Sequence, residues 1–195
     1  MTDLYQNKYR IASARNPYWD YGWNGSYFVT ICTKDRICWF GDVVDGKMRL
    51  SEMGDIANKC WREIPTHFPF VKLGNHVIMP NHVHGIVIID KPYDHPVVIE
   101  TQDFASLSPP PSPQSIPPKN QFGPQSKNLA SIIRGFKIGV TKNARLINPD
   151  FAWQSRYHDH IIRNEKSFQN ISAYIKNNPQ KWHEDRFHAN DRKPC

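Results

Sequence analysis

Nowhere in the 195 residues is there an apolar run of about 18 or more, the length a helix needs to cross a bilayer. Nor does a charged opening lead into an apolar stretch, so neither a membrane span nor a signal peptide is expected. The four cysteines, Cys32, Cys38, Cys60 and Cys195, include no Cys-x-x-Cys pair. That argues against a zinc knuckle or a redox couple, and free thiols are expected. Net charge is missing from most of the chain. Residues 1–126 hold 12 basic and 12 acidic side chains, whereas residues 127–195 hold 13 and 6, so the C-terminal third carries the whole +7. A neutral portion beside a basic one suits a protein with one face turned to a polyanion. The length itself suits one domain with a sizeable core.

The densest chemical signal lies at Met79-Pro80-Asn81-His82-Val83-His84-Gly85-Ile86. Side chains two apart on a strand share a face, so His82 and His84 can aim both imidazoles at one point. Pro80-Asn81 suits the centre of a tight turn, with Pro fixing φ and Asn tolerating positive φ. Val71–Met79 and His82–Asp90 then form a hairpin with the histidine pair just past its tip. An ordinary hydrogen-bonded pair of strand histidines fits the same spacing, so a further element must decide.

That element is the segment 163–179. Asn164 is a helix N-cap followed by Glu165, where the dipole favours an acid. Phe168, Ile171 and Ile175 make one apolar stripe, and Pro179 ends the helix near Asn178. Because Asn178 directly precedes proline, its backbone is expected to depart from helical geometry. Tyr174 falls at the edge of the stripe, where a phenol can look into a cleft, and Asn178 stands on the same side one turn later. Packing alone would also explain a tyrosine there.

The remaining segments read as an α+β plan. Tyr27–Thr33 is a strand, and Val43–Leu50 forms two short arms around an Asp45-Gly46 turn. Ser51 caps a helix over Glu52–Ile64. Residues 91–126 hold nine of the 16 prolines and read as a flexible insert, with Pro109–Pro113 read as a spacer in preference to a peptide-docking segment. A helix over Lys127–Leu146 buries Leu129, Ile132, Ile133, Phe136 and Val140. Its other face carries Arg134, Lys137, Thr141 and Arg145 with no interleaved acid, either a solvated side or a row of phosphate contacts. A strand near Arg156–Ile162 follows. The expected layout is an N-terminal arm over 1–24, a domain over 25–182 and a tail over 183–195.

The run at 77–87, together with Tyr174-Ile175-x-x-Asn178-Pro179, resembles the single-tyrosine HUH transposases, in the branch of REP-associated tyrosine transposases. Gly-Ser-Tyr-Phe-Val-Thr-Ile-Cys-Thr at 25–33, Ser-Ile-Ile-Arg-Gly-Phe-Lys at 131–137 and Trp-Gln-x-x-Tyr-x-Asp-His-Ile-Ile-Arg-Asn-Glu at 153–165 extend the resemblance over roughly residues 10–182, in order. The insert and the segment Ile11–Arg15 depart from the family pattern.

The resemblance implies a single domain with a ferredoxin-like antiparallel sheet covered by helices. It implies metal-assisted cutting and rejoining of single-stranded DNA beside hairpins, with Tyr174 as nucleophile and a 5′-phosphotyrosine intermediate. His82, His84 and Asn178 would hold Mg²⁺ or Mn²⁺, a set whose hard oxygen donor suits those ions. Arg134, Lys137, Lys142, Arg145 and Arg163 are the candidate DNA contacts. Tyr18, Trp19, Tyr21 and Trp23 beside Arg15 stack on unpaired bases or cover the sheet. Such a protein would be cytoplasmic and nucleoid-associated, as a monomer or a homodimer. Two rival readings remain: a domesticated hairpin binder that cuts nothing, and a phosphodiesterase that uses water while Tyr174 only packs.

Overall fold

Alternating burial along β-branched and aromatic runs builds the central sheet of the computed structural model, which describes residues 19–92 and 126–188. The strands are β1 (Gly25–Cys32), β2 (Gly41–Val44), β3 (Lys47–Leu50), β4 (Val71–Met79), β5 (His82–Ile89) and β6 (His158–Ile162). The helices are α1 (Glu52–Arg62), α2 (Ile64–His67), α3 (Leu129–Ile147) and α4 (Glu165–Asn177). β4, β5, β1 and β6 pair in that order, each antiparallel to its neighbour, while β2 and β3 form a separate two-stranded ribbon. With α1 between β1 and β4, and α3 between β5 and β6, this is the ferredoxin-like arrangement. Arg15, Tyr18, Pro109–Pro113, most of the proline-rich insert and Cys195 lie outside the described residues. Among the described residues, no helix is long and apolar enough to cross a membrane.

Period-two alternation divides the sheet into two differently covered faces. Tyr27, Val29, Ile31, Val83 and Val87 pack with Trp61 of α1 and with Leu129, Ile132, Ile133 and Phe136 of α3 in the main core. Ile86 and Phe28 point the other way, to Ile162 and to Phe168, Ile171 and Ile175 of α4. His82 and His84 share that second face, because they stand opposite Cys32 and Thr30 of β1. The stripe of α4 therefore docks the helix over the histidines.

Local signals act as their chemistry requires. Ser51 accepts from Gly54 N–H, and Asn164 accepts from Ser167 N–H, so both caps satisfy otherwise orphaned amides. Asp45 and Gly46 take φ of 51° and 68°, the left-handed pair of a tight hairpin. Pro80-Asn81 links β4 to β5 with Met79 facing His82, but Asn81 is not among the positive-φ residues. Its fitness lies in its side chain instead, as the site shows. Asn178 corrects another expectation. At φ −58° and ψ −42° it stays helical, because Pro179 opens a 3-10 turn (Pro179–Glu184) in which a ring at the first position is tolerated. The free-thiol expectation holds for Cys32 and Cys60 and fails for Cys38, which is disulfide-bonded. Spacing along a chain does not report which sulfurs meet in space.

Candidate active site and metal centre

His82 is held by its neighbour. Asn81 donates its amide N–H groups to the carbonyls of Arg36 (3.1 Å) and Phe187 (2.9 Å), which turns its Oδ1 toward His82 Nδ1 at 2.8 Å. Nδ1 must then carry the proton, leaving Nε2 with a bare lone pair. That Nε2 is fully buried and has no hydrogen-bond partner among the described residues. His84, also buried, sets its Nδ1 2.9 Å from Thr30 Oγ1, and its Nε2 lies within hydrogen-bond distance of the Tyr174 hydroxyl at 3.3 Å. The two imidazole rings lie 4.4 Å apart.

Tyr174 reaches His84 across a shared edge. Phe28 lies 5.3 Å from the His84 ring and meets the phenol edge-on at 6.1 Å. The tyrosine is 46 % exposed, so the residue as a whole is reachable from solvent. Burial pushes its pKa above the ordinary 10, assisted by Asp185; Arg186 and the nearby Asn178 side chain pull the other way.

Asn178 is almost fully buried one turn after Tyr174. Its Nδ2 donates to Asp185 Oδ2 at 3.1 Å, and its Oδ1 is buried without a partner. Two buried acceptors without a partner among the described residues, His82 Nε2 and Asn178 Oδ1, are costly unless each meets something positive. His82, His84 and Asp185 each offer a ligand atom within 4.8 Å of the others, a spread that one cation with bonds of about 2.0–2.5 Å can span. The residues present therefore fit a divalent ion.

Both imidazoles are pre-set for ligation. Burial drives the His82 pKa well below 6.5, with His84, Arg186 and Arg36 adding to the shift. Burial likewise lowers His84 to about 3, aided by Arg186 and His158. A neutral ring is the form that binds metal. Below pH 6.5 the unfolded chain takes up protons that the folded chain refuses, so stability present above that pH is lost progressively toward about pH 3. Each such histidine contributes a slope of about 1.4 kcal/mol per pH unit. Denaturant unfolding of the metal-free protein should thus show a fall of roughly 2 kcal/mol or more between pH 6.5 and 5.5. A flat profile over that window would mean that the rings are not held neutral.

Four of the five candidate DNA contacts, Arg134, Lys137, Lys142 and Arg145, line one cavity of about 570 Å³, and Arg163 lies apart from them. Arg134, Lys137, Lys142 and Arg145 lie on α3, across the sheet from Tyr174. Lys137 donates to the Gln154 carbonyl and Arg145 Nε to the Phe151 carbonyl, while Arg134 and Lys142 are exposed. Arg163 lines a cavity of about 470 Å³ with His160 and Asn164 where α4 begins. Trp19 and Tyr21 pack against the main core, whereas Trp23 is 45 % exposed.

No family model matches the chain. An uncharacterized protein of Haemophilus influenzae (strain KW20 / Rd) is 38 % identical over 178 residues, covering 91 % of this chain and 92 % of that protein. A second protein of the same organism, named as a candidate REP-associated tyrosine transposase, is 25 % identical over 162 residues, covering 83 % and 74 %. A solved structure described as a REP-associated tyrosine transposase bound to a REP hairpin superposes with a TM-score of 0.55 at 19 % identity, covering 88 % of this chain and 74 % of that one. The chain is thus similar in sequence to one protein named as a REP-associated tyrosine transposase and in fold to a solved one.

Three residues at the centre fall outside the sequence motifs. Asp185 falls in the stretch taken as a tail, and Arg36 and Arg186 stand in segments with no motif. Arg36 Nη1 donates to the Arg186 carbonyl, and both guanidiniums lie over the Phe187 ring. Only the fit of Trp182 and Phe187 against Cys32 and Met79 brings them to His82. The apolar spacing of Trp182 and Phe187 was the one available hint.

Proposed function

We propose that this chain cuts and rejoins hairpin-flanked single-stranded DNA through a 5′-phosphotyrosine on Tyr174. The observation that carries the reading is the 3.3 Å approach of the phenol to His84, beside the bare acceptors of His82 and Asn178. The solved structure of similar fold, described as bound to a REP hairpin, supports hairpin DNA as the substrate.

His82, His84 and Asn178 would hold Mg²⁺ or Mn²⁺, which when bound polarises phosphoryl oxygens and orients the scissile bond. Tyr174 Oη attacks phosphorus as the P–O3′ bond breaks. The phenol gives up its proton, and the departing 3′ oxygen gains one. The bond energy stays in the phosphotyrosine, so a second 3′ hydroxyl can displace the phenol without a nucleotide triphosphate. Partial exposure lets a single strand reach the ring, and the packing of Phe28 and His84 against it limits the directions of attack. Such chemistry would take place on the nucleoid, in the cytoplasm.

Labelled hairpin-bearing single strands, incubated with protein and Mn²⁺ or Mg²⁺ and then denatured, test this directly. A covalent protein–DNA band supports the reading. Cleavage without a band would assign the chemistry to water, and retention without cleavage would make the chain a hairpin binder.

Arg163, Arg134, Lys137, Lys142 and Arg145 are proposed to meet the DNA backbone. Of the α3 residues, Arg134 and Lys142 have no hydrogen bond among the described residues. Replacing both with Ala should lower the slope of log affinity against log salt by roughly one to two. An unchanged slope would remove α3 from the interface.

A further inference from the structure

The three ligands taken from α4 and β5 are all neutral. Two imidazoles and an amide bring no charge, while the Arg36 and Arg186 guanidiniums both lie over the Phe187 ring, itself 4.8 Å from the His82 ring. A dication entering that space would meet two positive charges close by. Asp185 is the carboxylate that the fold sets against the two histidines, with a ligand atom of each within 4.8 Å of the others.

Its bonding leaves room for an ion. Asp185 Oδ1 accepts the Phe187 N–H at 2.7 Å, and Oδ2 accepts Asn178 Nδ2–H at 3.1 Å. A carboxylate oxygen has two acceptor sites, so each retains one. The second bond also fixes the Asn178 amide. Turned the other way, its oxygen would face a carboxylate oxygen, and Nδ2 would occupy the place where Oδ1 now lies buried and unpaired. The turn that carries Asp185 is anchored on both sides. Trp182 and Phe187 pack with Cys32 and Met79, and the Phe187 carbonyl accepts from Asn81, the residue that sets the His82 tautomer. One hydrogen-bonded connection thus runs from the β4–β5 turn to the C-terminal turn, with both ends facing the same space.

We propose that Asp185 is a direct ligand of the divalent ion and at the same time orients the Asn178 amide oxygen toward it, an inference that rests on reading this site as a metal centre. The ligand set is then His82, His84, Asn178 and Asp185, two nitrogens and two oxygens carrying one negative charge. Such a set favours Mn²⁺ over Mg²⁺, since imidazole nitrogen is a better partner for the transition ion.

The test is Mn²⁺ binding, read by the paramagnetic resonance of free Mn²⁺ during titration of chelator-treated protein. Asp185→Asn is the informative variant, because an Asn side chain still accepts the Phe187 N–H and keeps the turn. Metal-free melting temperatures report whether each variant folds. Mn²⁺ affinity in Asp185→Asn is expected to drop about 10- to 100-fold, with metal-free melting close to that of the parent. The double variant Asp185→Asn/Asn178→Ala should bind more weakly than either single one. Parental affinity in Asp185→Asn, with binding still abolished by His82→Ala, would overturn the inference and leave the metal centre standing. A double variant no weaker than Asn178→Ala alone would overturn direct ligation. Failure of the parent protein to bind Mn²⁺ would remove both the inference and the metal centre, whereas covalent capture by Tyr174 is scored separately on DNA.

Discussion

Tyr174→Phe is expected to abolish the covalent DNA adduct while leaving the fold and hairpin binding in place. The substitution deletes one oxygen, the atom that would form the bond to phosphorus. Removing a nucleophile outright costs on the order of 10⁴-fold or more in rate, enough to erase any band on a denaturing gel. Structural losses are small by comparison. The ring keeps its edge contact with Phe28, and the lost hydroxyl makes a single 3.3 Å bond at a half-exposed site. Such a bond contributes about 1 kcal/mol or less, so melting should move by only a few degrees. Two readouts therefore separate chemistry from folding. An adduct that survives in Tyr174→Phe would transfer the nucleophile elsewhere and end the proposal.

Gly85→Ala should unfold the sheet more readily than any surface change. Gly85 follows His84 in the motif and invites a functional reading, but it points to the opposite face. There a β-carbon would overlap the six-membered ring of Trp61. Trp61 is fully buried and has no room to withdraw: Phe136 meets it edge-on at 5.3 Å and His76 stacks on it at 5.8 Å. Overpacking of this kind costs about 1–3 kcal/mol, and the upper end applies where the neighbour is rigid. The gain from replacing glycine in a strand, about 0.5–1 kcal/mol, does not offset it. A fall in melting temperature of roughly 5–10 °C is expected. Pairing the variant with Trp61→Phe, which vacates the contested volume, should recover part of the loss. A single variant that melts within about 2 °C of the parent would show that the core yields more easily than its packing implies.

Gly85 also illustrates what a motif hides. His82 and His84 are legible as one chemical unit, because a strand's period of two places them on one face whatever surrounds it. Gly85 is adjacent in the chain, but its role depends on an indole 24 positions earlier. Asn81 is similar: turn propensity explains its presence, yet its side chain earns its place by bonding Arg36, Phe187 and His82 at once. The basic row on α3 reads correctly as a row, but its placement across the sheet from Tyr174 is invisible to helical periodicity.

Local chemistry alone determined the strands, the caps, the hairpin and the stripe of α4, since each depends on neighbours within about one helical turn or one strand pair. It likewise determined that two imidazoles share a direction and that a tyrosine sits at the edge of its helix. Tertiary structure decided the rest: which sheet face α4 covers, that Tyr174 meets His84 across 90 positions, that Asp185 joins the histidines, and that Cys38 is bonded. Those outcomes follow from how buried surfaces fit one another, a property of the whole core that no short stretch of chain contains.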